Sequence, residues 1–154
     1  MKKRKISVVY SLILSTSLII AGVVSAASND FSGWPTLQSG SSGGYVRALQ
    51  ANLYAFGLSG TVGSIDGSYG ANTVTAVKSF QTSESLTSDG KVGSATWNAM
   101  SYYTTVTVTD YEFYLWTPSS TTYWVNYVNQ SGGGLKYYLT YKSNNSVVNS
   151  GTVY

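Results

Sequence analysis

The sequence lacks the residue types on which much enzyme chemistry depends: its 154 residues include no cysteine and no histidine. Without cysteine the chain forms no disulfide, so a small extracellular fold must be held by packing and hydrogen bonds. The absence of both types excludes a histidine-based zinc site, a Cys/His pair and a Ser-His-Asp triad. Carboxylates are the acid–base groups that remain, and we expect no metal and no cofactor.

Charged residues are also few, at 10% of the chain, and four of the basic ones lie together at the start. They precede an apolar stretch at 6–24 that ends in Val24-Ser25-Ala26. This pattern predicts an export signal over 1–26, and hence a secreted protein with no stable membrane insertion after cleavage. A retained anchor is the alternative. Removing the signal leaves five basic and six acidic residues, so we expect no nucleic-acid partner.

The rest of the chain changes its hydrophobic period near residue 102. Before that point, apolar residues recur at three- and four-residue steps, which predicts helices at about 44–56, 71–82 and 94–100. After it, apolar and polar residues alternate between turn-forming runs, which predicts antiparallel strands.

The expected fold class is therefore α+β in two parts. A Ser/Gly-rich segment at 27–36 is expected to be an extended linker. A small three-helix bundle at 37–102 follows, and then a small antiparallel β-sheet or sandwich domain at 103–154.

A turn motif occurs twice within the helical part. The runs IDGSYG at 65–70 and SDGKVG at 88–93 each have Asp-Gly, one residue, a bulky apolar residue and a second Gly, with a Thr three residues later. Asp suits a tight turn because it bonds to the backbone ahead, and Gly accepts positive φ. The second Gly is expected to allow close approach to a neighbour. The motif predicts a turn that leads into a helix.

With these motifs, residues 37–100 resemble the type 1 peptidoglycan-binding domain, a small three-helix module of bacterial cell-wall hydrolases and spore proteins. The matching residues are Leu37, Gly40, Gly43, Val46, Leu49, Gln50, Leu53, Asp66, Gly67, Tyr69, Gly70, Thr73, Ala76, Val77, Phe80, Gln81, Leu86, Asp89, Gly90, Val92, Gly93, Thr96 and Trp97. Ser85 departs from the family, which usually has Gly there. The resemblance implies that the chain binds peptidoglycan and is associated with the bacterial cell wall.

The candidate ligand-binding residues lie in the two motifs and in the helical turns that follow them. They are Asp66, Tyr69, Asn72, Thr73, Asp89, Lys91, Thr96 and Trp97. A structural interpretation stands beside this one: the two Asp residues form turns first, Trp97 packs, and Tyr69 serves either role. Gln50 and Gln81 are expected to bond helix ends or loop backbone.

The β part is rich in aromatic residues, some of which fall opposite the regular apolar rows. These are Tyr114, Trp116, Trp124 and Tyr138. They form an exposed stacking surface for a polysaccharide, the second face of a sandwich core, or an interface for another cell-wall protein. Asp110 and Glu112 are spaced like the acid and base of an inverting glycosidase, but any such pair on a strand has this spacing.

The sequence therefore predicts a secreted, non-enzymatic protein that binds peptidoglycan. Its β part is expected to add a carbohydrate or protein contact. Two alternatives remain: a structural or regulatory protein whose β part binds a hydrolase or envelope partner, and a small carboxylate-based cell-wall hydrolase.

Overall fold

A computed structural model describes residues 31–107, 112–115, 117 and 120–154, with the backbone alone for Val106 and Thr107. The predicted export signal, Asp110 and Trp116 lie outside these residues. In the part of the chain that is described, no helix is long and apolar enough to cross a membrane.

Four helices occupy the first half of the described chain. They are α1 (Gly44–Ala55), α2 (Ser59–Val62), α3 (Ala71–Ser83) and α4 (Ser94–Ser101). The three predicted helices are present within one or two residues of their expected ends. The count of three is not confirmed, because α2 adds a fourth helix whose four residues are too few to show a hydrophobic period.

One antiparallel sheet forms the second half. Its strands are β1 (Thr104–Thr107), β2 (Glu112–Leu115), β3 (Tyr123–Asn129), β4 (Leu135–Tyr141) and β5 (Val147–Thr152), and each pairs with the next along the chain. Burial alternates along β4, where Leu135, Tyr137 and Leu139 are buried. The α+β class is thus confirmed, and the described strands form a single sheet rather than a sandwich.

The inner face of this sheet packs against the helices. Tyr127 on β3 is fully buried, and its hydroxyl donates to Asn52 Oδ1 on α1 at 2.7 Å. The Phe31 ring lies 5.6 Å from the Tyr127 ring and 5.5 Å from the Trp97 ring, centroid to centroid. A boundary between folding units at 102/103 stays a prediction, and side chains from both sides of it share one core.

Candidate functional site

A buried glutamine on α1 holds the first Asp-Gly turn. Gln50 is 1% exposed, and its Nε2 donates to Asp66 Oδ1 at 2.9 Å, to the Ser68 carbonyl at 3.1 Å and to Thr73 Oγ1 at 3.2 Å. Its Oε1 accepts the Gly67 N–H at 2.9 Å. The Gln50 side chain therefore links α1 both to the Asp-Gly turn and to the first turn of α3.

A second glutamine, on α3, repeats the arrangement. Gln81 Nε2 donates to Asp89 Oδ1 at 2.9 Å, to the Lys91 carbonyl at 2.8 Å and to Thr96 Oγ1 at 3.2 Å. Its Oε1 accepts the Gly90 N–H at 2.8 Å. The prediction that both glutamines bond loop backbone is confirmed, and each also bonds the Asp and the Thr of its motif.

Both aspartates also accept a backbone hydrogen bond inside their own turn. Asp66 Oδ1 accepts the Ser68 N–H at 2.8 Å, and Asp89 Oδ1 accepts the Lys91 N–H at 2.9 Å. The Gln50 amide, then the Ser68 N–H, lowers the pKa of Asp66. For Asp89 the backbone of Lys91 is the larger cause of the lowered pKa, followed by Gln81. Because hydrogen bonds to the charged form favour it, both exposed carboxylates are ionised at neutral pH.

Four of the eight candidate side chains lie in the interior: Tyr69, Thr73, Thr96 and Trp97. The Tyr69 hydroxyl donates to the Gly90 carbonyl at 2.9 Å, which joins the first motif to the second. Burial raises the pKa of Tyr69 above its ordinary value. The Trp97 Nε1–H donates to the Pro35 carbonyl at 3.0 Å. Tyr69 is 2% exposed and Trp97 1%, so neither ring offers a free face on which a ligand can stack.

The four exposed candidates divide between the two motifs. Asp66 and Asn72 lie at the first motif, and Asp89 and Lys91 lie at the second. Sequence reasoning missed Arg47, whose stem packs over Gly67 so closely that a Cβ there would lie 3.0 Å from its Cγ. The sequence does contain a signal for this contact. A basic residue stands three positions before the glutamine of each motif, Arg47 before Gln50 and Lys78 before Gln81.

An open groove of about 520 Å³ lies beside the second motif, between the loop after α3 and the start of α4. Its lining includes Asp89, Lys91 and Thr96 of the candidate set, together with Thr36, Gln81, 85–87 and 93–95. Ser85, the departure from the family pattern, has a φ of 60°. That is the left-handed conformation which glycine adopts more readily.

The groove presents hydrogen-bond donors at the start of α4. The first N–H groups of a helix have no partner within the helix. In α4 no side chain caps them, because the N-cap residue is Gly93. These groups carry partial positive charge, and the Lys91 ammonium belongs to the same groove. The arrangement suits a carboxylate or carbonyl oxygen of a ligand. Among the described residues, no cluster of three acidic groups is placed to hold a metal ion.

The aromatic candidates of the β part lie away from this groove. Tyr114, Trp124 and Tyr138 are half-buried, and they alternate with the buried residues of β2, β3 and β4. They therefore lie on the outer face of the sheet, opposite the helices. Trp116, the fourth residue of this predicted surface, lies outside the described residues.

Comparison with known proteins gives relatives that match part of the chain. An uncharacterized protein of Kitasatospora aureofaciens is 41% identical over 44% of this chain and 57% of its own length. The zinc D-Ala-D-Ala carboxypeptidase of Streptomyces albus G is 43% identical over 41% of the chain and 25% of its own length. A "Probable N-acetylmuramoyl-L-alanine amidase" of Bacillus licheniformis is 35% identical over 58% of the chain and 25% of its own length. The chain thus spans about half of the first relative and a quarter of the other two.

The family model described as "Putative peptidoglycan binding domain" matches residues 42–100. The matched segment contains α1, α2, α3, all but the last residue of α4, both turn motifs and most of the groove lining. The resemblance predicted from the sequence is therefore confirmed by this match over residues 42–100.

Proposed function

We propose that this chain is a secreted, non-enzymatic protein of the bacterial cell wall, and that the groove beside α4 binds peptidoglycan. The observation that carries the proposal is that the segment matched by the family model, 42–100, contains most of the groove lining, including Asp89, Lys91 and Thr96. Secretion rests on the sequence pattern at 1–26, which predicts an export signal.

The chemistry of the groove favours the peptide part of peptidoglycan. Stem peptides end in carboxylates or amides and offer a carbonyl oxygen at every residue. The N–H groups at the start of α4 and the Lys91 ammonium supply donors for such oxygens. Asp89 Oδ1 is engaged by Gln81 and by the turn, and the exposed carboxylate accepts further N–H groups from the ligand.

The non-enzymatic part of the proposal rests on the composition and on the surroundings of Glu112. The chain has no histidine or cysteine, and the zinc carboxypeptidase and the amidase match it over only a quarter of their own lengths. Glu112 Oε2 accepts the Tyr114 hydroxyl at 2.7 Å and the Asn126 Nδ2 at 3.1 Å. A carboxylate held in this way serves as an acceptor within the sheet.

Co-sedimentation of the full chain with purified cell-wall sacculi tests the proposal. Ala95→Glu places a carboxylate in the first turn of α4, where it favours the helix but repels a ligand carboxylate. We expect this variant to bind sacculi at least about tenfold more weakly, because like-charge juxtaposition costs several kcal/mol. The matched control is Ala71→Glu, at an exposed alanine in the first turn of α3 that lies outside the groove, which should bind like the parent.

Two results would contradict the proposal. If the full chain stays in the supernatant at micromolar concentration, peptidoglycan is not its ligand. If Ala95→Glu sediments like the parent, the groove is not the site. The enzymatic alternative has its own measurement: release of soluble wall fragments by the parent, abolished by Glu112→Gln, would establish a hydrolase.

A further inference from the structure

The outer face of the sheet carries a second groove, of about 400 Å³. Its floor is formed by Trp124, Asn126 and Val128, which alternate along β3 with the buried Val125 and Tyr127. Glu112 joins from β2, where it pairs with Val128, and Tyr138 joins from β4, where it pairs with Asn126. This groove shares no residue with the one beside α4.

Trp124, in the lining of this second groove, stacks on the neighbouring ring of Tyr114. The rings of Tyr114 and Trp124 lie 5.0 Å apart, with an angle of 26° between their planes. Tyr114 pairs across the strands with Asn126, so Trp124 is its diagonal neighbour on the same face. Each ring restrains the other. The half-buried Trp124 therefore presents a fixed, flat, apolar surface to whatever enters the groove.

The polar side chains beside this pair offer hydrogen-bond acceptors. Glu112 accepts hydrogen bonds from Tyr114 and Asn126, and a carboxylate has no hydrogen to give. The Asn126 amide is thereby oriented with Nδ2 towards Glu112 and Oδ1 away from it. That Oδ1 is buried and has no hydrogen-bond partner among the described residues. Because this oxygen has almost no accessible surface, the acceptor that a ligand in the groove can reach is the half-buried Glu112 carboxylate.

These features define what fits the groove. The ligand needs a flat apolar face for Trp124, an O–H or N–H donor for Glu112, and no negative charge beside that carboxylate. A pyranose ring has apolar C–H faces and hydroxyl donors. An acetamido group adds an amide N–H and a methyl group, for which Val147 provides an apolar contact that is 57% exposed.

We propose that the outer face of the sheet binds a neutral, N-acetylated glycan chain, with one sugar ring on Trp124 and an acetamido N–H donated to Glu112. This site is separate from the proposed peptide-binding groove and does not depend on it. The chain then has one surface for the peptide part of a wall polymer and another for a glycan.

Calorimetric titration of the full chain with the β-linked N-acetylglucosamine hexamer tests this proposal. We expect binding that Trp124→Ala weakens about tenfold or more, since a truncated aromatic anchor costs most of the energy of a small interface. Trp124→Phe should retain most of the affinity because it keeps a ring. Glu112→Gln preserves the shape of the groove, so a loss of affinity there reflects the hydrogen bonds and not the fold.

The controls separate this site from the groove beside α4. Tyr102→Ala removes a tyrosine that is 78% exposed and lies outside the groove, and it should bind the hexamer like the parent. Ala95→Glu should also bind it normally, even where sacculus binding is lost. The proposal is overturned if the hexamer does not bind at about 1 mM, or if Trp124→Ala and Glu112→Gln both bind like Tyr102→Ala. Equal affinity for cellohexaose, which lacks the acetamido group, would overturn the N-acetyl assignment.

Discussion

The motif at 65–73 and the motif at 88–96 are held by the same four hydrogen bonds, one set from Gln50 and the other from Gln81. Their loops differ, because 16 residues separate Gln50 from Asp66 and only 8 separate Gln81 from Asp89. The longer loop contains α2, whereas the shorter one borders the groove. The glutamine hydrogen bonds are therefore the scaffold that the two motifs share, whereas the surrounding loop determines whether a groove forms beside the motif.

The apolar residue of each motif differs as well. The first motif uses Tyr69 and the second uses Val92, and both are buried. A buried tyrosine needs a partner for its hydroxyl, and Tyr69 finds it in the Gly90 carbonyl. The first motif therefore donates a hydrogen bond to the second, and the position of the second turn depends on how Tyr69 packs.

The largest expected effect comes from removing the glutamines. Gln50→Leu or Gln81→Leu deletes four hydrogen bonds and leaves a buried glycine N–H without its acceptor. Each variant should lose about 3 to 5 kcal/mol of the free energy of unfolding, measured by urea denaturation. Gln38→Leu, at an exposed glutamine, is the control and should stay within about 0.5 kcal/mol.

The outcome decides whether the motifs are equivalent. Similar losses in the two variants support one repeated scaffold. A loss below about 1 kcal/mol in either variant would show that its network does not stabilise the fold as its hydrogen bonds imply.

A smaller effect is expected from the first glycine of each motif. Gly67 and Gly90 have φ of 78° and 73°. A Cβ at Gly90 would lie 3.0 Å from Val74 Cγ1, and one at Gly67 would lie 3.2 Å from the Gly43 carbonyl oxygen. Gly67→Ala and Gly90→Ala should each cost about 1 to 3 kcal/mol, since left-handed backbone alone costs 1 to 2.

The second glycine of each motif supplies the matched control. It was expected to allow close approach, and that expectation is wrong: a Cβ at Gly70 or Gly93 meets no atom within 4 Å. Both have negative φ, of −89° and −100°. Gly70→Ala and Gly93→Ala should change the unfolding free energy by only about 0.5 kcal/mol. A larger loss there than at Gly67 and Gly90 would contradict the assignment of strain.

The sequence was sufficient to predict the elements whose patterns are local. The period of α1, α3 and α4 and the alternation along the strands follow from which residues face the core. The turn role of Asp66 and Asp89 also follows from local chemistry, because each bonds the N–H two residues ahead.

Features that depend on distant partners were not predictable. The burial of Tyr69 is set by contact with the second motif, 21 residues away. The shared core requires Phe31 to meet Tyr127 across nearly the whole described chain. The groove beside Asn126 depends on strand register, which places Tyr114 and Tyr138 on either side of it. Single-sequence periodicity holds no information on such pairings.

The smallest expected effect concerns pH. Hydrogen bonds lower the pKa of Asp66 and Asp89 below their ordinary value of 3.8, so the folded state favours the carboxylates. Their contribution to stability is therefore present above the ordinary pKa of 3.8 and is lost as the pH falls through the lower pKa of the folded state. The double variant Asp66→Asn, Asp89→Asn keeps an acceptor oxygen at both positions but does not titrate there. Its free energy of unfolding should therefore fall less than that of the parent between pH 4 and pH 2.

Carboxyl-carbon NMR titrations measure the pKa of Asp66 and of Asp89 separately, so they compare the two motifs directly. The Gln50 side chain is the largest cause of the lowered pKa of Asp66, whereas the Lys91 backbone is the largest cause for Asp89. Each aspartate accepts its glutamine amide at 2.9 Å, and each keeps the backbone N–H of its own turn when the glutamine is replaced. Gln50→Leu and Gln81→Leu should therefore both raise the pKa of their aspartate towards its ordinary value. An unchanged pKa in either variant would show that its glutamine does not favour the ionised carboxylate.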